Sequence, residues 1–282
     1  MPIEQAKISV LDRGFIFGDG VYEVIPVYSL KAFRLTSHLL RLQHSLDSIK
    51  LTNPHSDAEW AAIIGELIAR NTGQDQYLYL HITRGVAKRD HAFPNPPVKP
   101  TVFMMSSPLL TPPAALLASG VGAVSAEDNR WLRCDIKAIA LLPNVLLRQM
   151  AVDAGCVETI LIRPESASGA AHMTEGAASN IFVVKNGKLL APPKDHLMLP
   201  GITYDVILEI AAENNIPHQV RRIAAAEVYD ADELLLTSST KEVLAITTLD
   251  GKPVGTGKPG AMFAKLHKLY QDFKREVMRK NM

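Results

Sequence analysis

Residues 131–145 read WLRCDIKAIALLPNV, and a lysine, Lys137, stands among Ile136, Ala138, Ile139, Ala140, Leu141 and Leu142. A lysine ordinarily keeps its ammonium in water, so a lysine in an apolar run has two readings. In the first it ends a strand, its stem lying on apolar neighbours while its head reaches solvent. In the second it is a partly desolvated amine, with a lowered pKa, that acts as a nucleophile toward an aldehyde. The stretch alone leaves both open.

Composition narrows the setting. A chain of 282 residues suits one large or two moderate domains, and either can bury a sizeable core. Hydrophobic residues at 47% and charged residues at 21% are ordinary values for a globular chain. The formal net charge of +1 gives no electrostatic case for nucleic acid or a membrane surface. Cys134 and Cys156 are too few and too far apart for a disulfide framework or a zinc site, which points to a reducing compartment. The opening, MPIEQAKISV, lacks a basic region followed by an apolar one, and no apolar run reaches bilayer length. The histidines show no metal-ligand spacing, so no metal is expected. The expected protein is soluble and cytoplasmic.

Around Lys137 the chain reads as mixed helix and strand. GVYEVIPVYS (20–29), QYLYLHITRG (76–85) and KPTVFMMSS (99–107) read as strands. TSHLLRLQHSLDSIKL (36–51) has apolar residues at helical spacing with Thr36 or Ser37 as a possible cap, and DAEWAAIIGELIARN (57–71) is a second amphipathic helix. SSPLLTPPAALLASG (106–120) carries three clustered prolines and reads as a linker. The second part has helices at 142–155, 203–215 and 260–280. Its strands are 158–164, 233–239 and a hairpin over 179–193 that turns at Asn186-Gly187. No strict βαβ repeat is present, so the pattern predicts an α+β protein of two domains. The expected limits are 1–110 for a small N-terminal domain, 111–117 for a linker and 118–282 for a larger domain.

Five further motifs carry chemistry. In MTEGAASNIFVV (173–184), Glu175 precedes a turn feeding a strand. It is either an exposed carboxylate or an anion aimed at a ring nitrogen, where it keeps a pyridinium protonated. In LMLPGITYDVILEIA (197–211), Ile202 and Thr203 open a helix whose free N–H groups suit a phosphate. Ser238, Ser239 and Thr240 end a strand in LLTSSTKEV (235–243), where they reach a phosphate or simply make a turn. Arg41 lies beside an apolar helical face, as a solvated charge or a bidentate phosphate ligand. In KRDHAFP (88–94), Arg89 and His91 are carboxylate ligands or parts of a polar loop.

VLDRGFIFGDGVYEV (10–24), CDIK, TEGAASN, LPGIT and SSTKEV occur in this order. That set resembles the fold-type IV pyridoxal-phosphate enzymes over nearly the whole chain. The resemblance implies two domains, a small N-terminal α/β domain and a larger one with a β-barrel-like core. It also implies pyridoxal 5′-phosphate as cofactor, with Lys137 carrying it as an aldimine and shuttling the proton. It implies that Glu175 faces the pyridine nitrogen. Arg41, the backbone of Ile202, Thr203, Ser238 and Ser239 would hold the phosphate, with Leu199 packed on the ring. Tyr22 would line the substrate pocket.

Within that family, TRGVAKRDHAFP is similar to the loop of D-amino acid aminotransferases, where Arg89, His91 and Tyr22 would bind the α-carboxylate. The implied reaction is ping-pong transfer between D-amino acids, such as D-alanine, and 2-oxo acids. The implied assembly is a homodimer, because that loop serves the partner subunit's site. Branched-chain L-amino acid aminotransferase, aminodeoxychorismate lyase, amine transaminase and a silent cofactor-binding protein are the alternatives. Three departures stand out: relatives carry a first strand before EQAKISVLDRG, they have serines where Ala177 and Ala178 stand, and Asp90 adds a negative charge between Arg89 and His91.

Overall fold

Two patterns of burial along the chain produce two sheets, and residues 1–164 and 170–278 are described by a computed structural model. One unit comprises Met1–Leu110 with Ile136–Leu141, and the other Thr111–Asp135 with Leu142–Met282.

The first unit begins with a short helix, α1 (Arg13–Phe17), capped by Asp12 and closed by Gly18 in the left-handed region. There follow β1 (Gly20–Tyr28), β2 (Lys31–Ala32), α2 (Leu35–Ser48), α3 (Asp57–Ala69), β3 (Gln76–Thr83) and β4 (Thr101–Pro108). The strands form one antiparallel sheet in the order β2-β1-β3-β4. Helix α3 starts with a capping box between Ser56 and Glu59. Helix α2 starts at Leu35, one residue before the expected cap, from an Arg34 in the left-handed region with no side-chain cap. Its buried face carries Leu39, Leu42 and Leu46 but also His38, Arg41 and Ser45. Buried polar groups need partners, so that face is built for more than packing.

Residues 136–141 form no strand. They return to the first unit through a single bridge between Ala138 and Val21, and Ile136 joins the cluster of Val21, Leu42, Leu46 and Trp60. Lys137 therefore rests on an irregular segment, not a strand end.

The second unit contains α4 (Ala114–Ser119), β5 (Val121–Glu127), α5 (Leu142–Asp153), β6 (Glu158–Pro164), β7 (Ala171–Gly176), β8 (Asn180–Lys185) and β9 (Lys188–Ala191). It continues with α6 (Ile202–Glu213), β10 (His218–Val220), β11 (Ile223–Ala224), α7 (Ala225–Tyr229), β12 (Glu233–Ser238), β13 (Glu242–Leu249), β14 (Lys252–Pro253) and α8 (Ala261–Met278). The stretch read as a linker, 106–120, is partly regular: β4 runs into it as far as Pro108, and α4 forms near its end. The strands form one curled sheet of ten, β10-β9-β8-β12-β13-β5-β6-β7-β11 with β14 on β13. Its centre is mixed: β13–β5 and β5–β6 are parallel, and the latter pair is joined through α5. The hairpin at Asn186-Gly187 forms as expected, with φ of 50° and 72°. Residues 279 and 280 of the expected last helix lie outside the described residues.

Strands β5, β7 and β13 went unread in the sequence. Val243 to Ile246 and His172 to Gly176 are buried continuously, so no polar alternation marks them. No helix among the described residues is long and apolar enough to cross a membrane.

Candidate active site

In the first unit, Lys137 is fixed by its main chain. Its N–H donates to Ser45 Oγ at 3.1 Å, and its carbonyl accepts from Tyr22 N at 3.0 Å. Ile139 N donates to Gly20 O at 3.1 Å. A Cβ on Gly20 would lie 2.4 Å from Ile82 O, so only glycine lets this segment and β3 approach β1 together. Lys137 is half-buried, and its Nζ lies 4.2 Å from the centroid of the Tyr22 ring.

Successive residues of a strand face opposite sides, so Glu23 turns toward α2 while Tyr22 turns toward Tyr79, 5.7 Å away between ring centroids. Glu23 is fully buried. It accepts from Arg41 Nε and Nη2, each at 2.8 Å, and meets His38 Nδ1 at 2.8 Å. Burial alone would raise its carboxyl. The Arg41 charge, the Arg41 bonds and His38 hold it well below the ordinary carboxylate range instead. Burial pushes His38 down against the pull of Glu23. Arg41 is thus no solvated charge, since Glu23 binds it in two places. We expect Glu23→Gln to destabilise the first unit by about 3–5 kcal/mol, because it removes the carboxylate from a buried guanidinium. A urea midpoint equal to the native one would sink that account.

Arg89 and His91 are exposed on the 88–94 loop and both rest on Phe17. The His91 and Phe17 ring centroids are 5.3 Å apart, and Arg89 Cζ lies 5.4 Å from the Phe17 centroid. The Asp90 carboxylate accepts from Ala92 N at 3.1 Å, so it is engaged in its own turn. No hydrogen bond, ion pair or ring contact joins Arg89 or His91 to Tyr22 or Lys137 among the described residues.

In the second unit Glu175 is the penultimate residue of β7, just ahead of the expected turn, and is 4% exposed. Its oxygens accept from Arg130 Nη1 at 2.6 Å, Leu199 N at 3.2 Å and Asn180 Nδ2 at 3.2 Å. Arg130 is itself held by both oxygens of Asp128, at 2.9 and 3.0 Å. Burial pushes the Glu175 carboxyl up to about 7, against Arg130 and the Leu199 N–H.

Asn180 joins the parts of this unit. Its Nδ2 also donates to Leu199 O at 2.9 Å, and it pairs in register with Thr237, next to Ser238. A Cβ on Gly201 would lie 1.9 Å from Asn180 Oδ1, so glycine is required at the start of α6. Gly201 is the N-cap there and has no side-chain cap. Thr203, expected near the cap, is inside the first turn; its Oγ1 and that of Thr237 are buried with no partner. Ser238 Oγ accepts from Lys241 N at 3.1 Å, and Ser239 is half-buried beside it. A helix start with free N–H groups and an orphaned hydroxyl is suited to an anion with several oxygens.

The residues that hold these groups in place were not read from sequence: Glu23, His38 and Ser45 in one unit, Arg130, Asp128 and Asn180 in the other. Two of them had a signal: Asn180 as the last residue of TEGAASN, and Glu23 within VLDRGFIFGDGVYEV. Buried charges on α2 are visible after folding alone.

The amino-transferase class IV family profile matches residues 20–249. The chain is similar to a D-alanine aminotransferase of Staphylococcus aureus (strain MSSA476), at 38% identity over 95% of this chain and 93% of that protein. It is similar to one of Bacillus licheniformis at 37% identity, over 93% of this chain and 90% of that protein. A solved structure of the branched-chain amino acid aminotransferase of Escherichia coli has a TM-score of 0.87 at 25% identity. It covers 96% of this chain and 91% of that one.

Proposed function

This chain belongs to the class IV aminotransferases, and we propose that it transfers amino groups between D-amino acids and 2-oxo acids, D-alanine among the donors. The observation carrying that reading is the Arg89 and His91 pair, displayed side by side on Phe17 in a loop that offers a carboxylate two donors. Relatives named as D-alanine aminotransferases support it.

Class IV aminotransferases use pyridoxal 5′-phosphate, and the residues present fit it. The uncapped start of α6 and the orphaned Thr203 hydroxyl suit its phosphate, and a buried carboxylate suits its ring nitrogen. When bound, the cofactor supplies a ring that draws in the electron pair left at Cα as its proton departs. We assign the phosphate to the Ile202 backbone, Thr203, Ser238, Ser239 and Arg41. Glu175 holds the proton on the ring nitrogen, Leu199 packs on the ring, and Lys137 binds the cofactor and moves the Cα proton through Nζ. Tyr22, Arg89 and His91 take the α-carboxylate. Donor and acceptor then share these residues in turn, as a ping-pong reaction requires.

Because Arg89 and His91 touch neither Tyr22 nor Lys137 of their own chain, we assign their service to a partner subunit in a homodimer. Two free cysteines fit a cytoplasmic setting. An active monomer in sedimentation would overturn the dimer.

The deciding experiment is the visible spectrum of the holoenzyme with D-alanine or L-valine added separately. Bleaching by D-alanine alone is expected, whereas bleaching by L-valine alone would place the chain with the branched-chain enzymes. Arg89→Ala should raise KM for D-alanine by roughly ten- to a hundredfold, the loss of a charged hydrogen-bond pair. An unchanged KM would remove Arg89 from the carboxylate.

A further inference from the structure

Arg13 is a buried cation that none of the roles above uses. It sits in α1 and is 3% exposed. Its Nε donates to Asp19 Oδ2 at 2.8 Å. The rest of the guanidinium turns to the 88–94 loop: Nη1 donates to Asp90 O at 2.6 Å and Ala92 O at 3.2 Å, and Nη2 donates to His91 O at 3.4 Å. One side chain thus gathers three consecutive carbonyls, and they belong to the segment that carries Arg89 and His91.

Phe17 stands four residues further along α1, on the same face of the helix. Its ring lies 4.9 Å from Arg13 Cζ, 5.4 Å from Arg89 Cζ and 5.3 Å from the His91 centroid. The main chain of α1 is itself tied to the base of the loop. Arg13 N donates to Gly85 O at 2.9 Å, and Asp12 bridges Val86. Asp19 is shared with Arg84, whose guanidinium lies 3.7 Å over the Phe93 ring at the loop's far end.

A loop with no regular hydrogen bonding carries a large conformational entropy, and its exposed side chains hold a ligand only if its backbone is held first. Residues 88–94 belong to no helix or strand, so the order must come from side chains. We propose that Arg13 and Phe17 are positioning residues for the substrate carboxylate: Arg13 sets the loop backbone through its three carbonyls, and Phe17 is the platform that orients Arg89 and His91. The fork geometry is essential, because an ammonium cannot reach three carbonyls and a carboxylate at once. This inference rests on the assignment of Arg89 and His91 to the carboxylate, and its test separates the two.

The experiment compares Arg13→Lys, Phe17→Leu and Arg89→Ala holoenzymes with the native one. It reads KM and kcat for D-alanine, the melting temperature and the rate of trypsin cleavage after Lys88 and Arg89. Misplacement of the loop by a fraction of an ångström should raise KM on the order of tenfold in Arg13→Lys and Phe17→Leu, with kcat at saturation within a few-fold. Trypsin should cut the loop faster in Arg13→Lys, a readout independent of turnover. If Arg89→Ala raises KM while Arg13→Lys and Phe17→Leu leave both KM and cleavage unchanged, the positioning role is overturned and the carboxylate reading stands. If Arg89→Ala leaves KM unchanged, the carboxylate reading falls, and the inference falls with it. A parallel fall in kcat and melting temperature without a rise in KM would make Arg13 structural only and overturn the inference. Should Arg13→Lys fail to fold, Phe17→Leu decides by the same KM and kcat comparison.

Discussion

Replacing Lys137 with alanine is expected to lower transamination by at least about 10³-fold and to remove the visible band of the lysine-bound cofactor. The expectation follows from how the segment is built. Three main-chain bonds to Ser45, Tyr22 and Gly20 hold residues 137–139, so Nζ is delivered over the Tyr22 ring by a rigid backbone rather than a mobile loop. Another lysine would need the same placement to substitute. The variant should remain folded, because those bonds come from the backbone and alanine keeps them. A visible band surviving in Lys137→Ala would mean that a different amine carries the cofactor.

Glu175→Gln should lower the transamination rate on the order of 10²–10³-fold, since an amide cannot hold a positive ring nitrogen opposite it. The same variant tests the electrostatics without turnover. Burial raises the Glu175 carboxyl from 4.5 to about 7. A raised acid binds its proton more readily folded than unfolded, so its contribution to stability is complete below about pH 4.5. That contribution is lost as pH rises through 7, and the full swing is about 3 kcal/mol. Glutamine has no such swing. Urea unfolding of the cofactor-free native protein at pH 5 and pH 8 should therefore show a loss of stability relative to Glu175→Gln. Identical pH dependence in the two proteins would show that Arg130 keeps Glu175 ionised throughout.

Much of the fold was legible because the long amphipathic elements carry their own period. Helices α2, α3, α5 and α6 start and stop within a few residues of their apolar patterns, and the Asn-Gly hairpin is specified by two residues that accept positive φ. Strand β7 was illegible for a physical reason. Its residues are buried on both faces, so no alternation distinguishes it from a loop of small and polar residues. The expected helix caps failed similarly: Gly201 begins α6 because Asn180 leaves no room for a Cβ, a constraint from a strand elsewhere in the unit.

The site divides along the same line. The sequence by itself determined which chemical groups are present, in the order Tyr22, Arg41, Arg89, His91, Lys137, Glu175, Thr203 and Ser238, because motif order survives in one dimension. Only the tertiary structure decided what those groups are bonded to. Arg41 became a guanidinium locked on Glu23, Glu175 a carboxylate balanced between burial and Arg130, and Asp90 the acceptor that closes its own turn. The 88–94 loop acquired a clamp from Arg13, more than seventy residues upstream in the chain. Long-range partners leave no local period, and a charge's behaviour depends on how much water folding removes from around it.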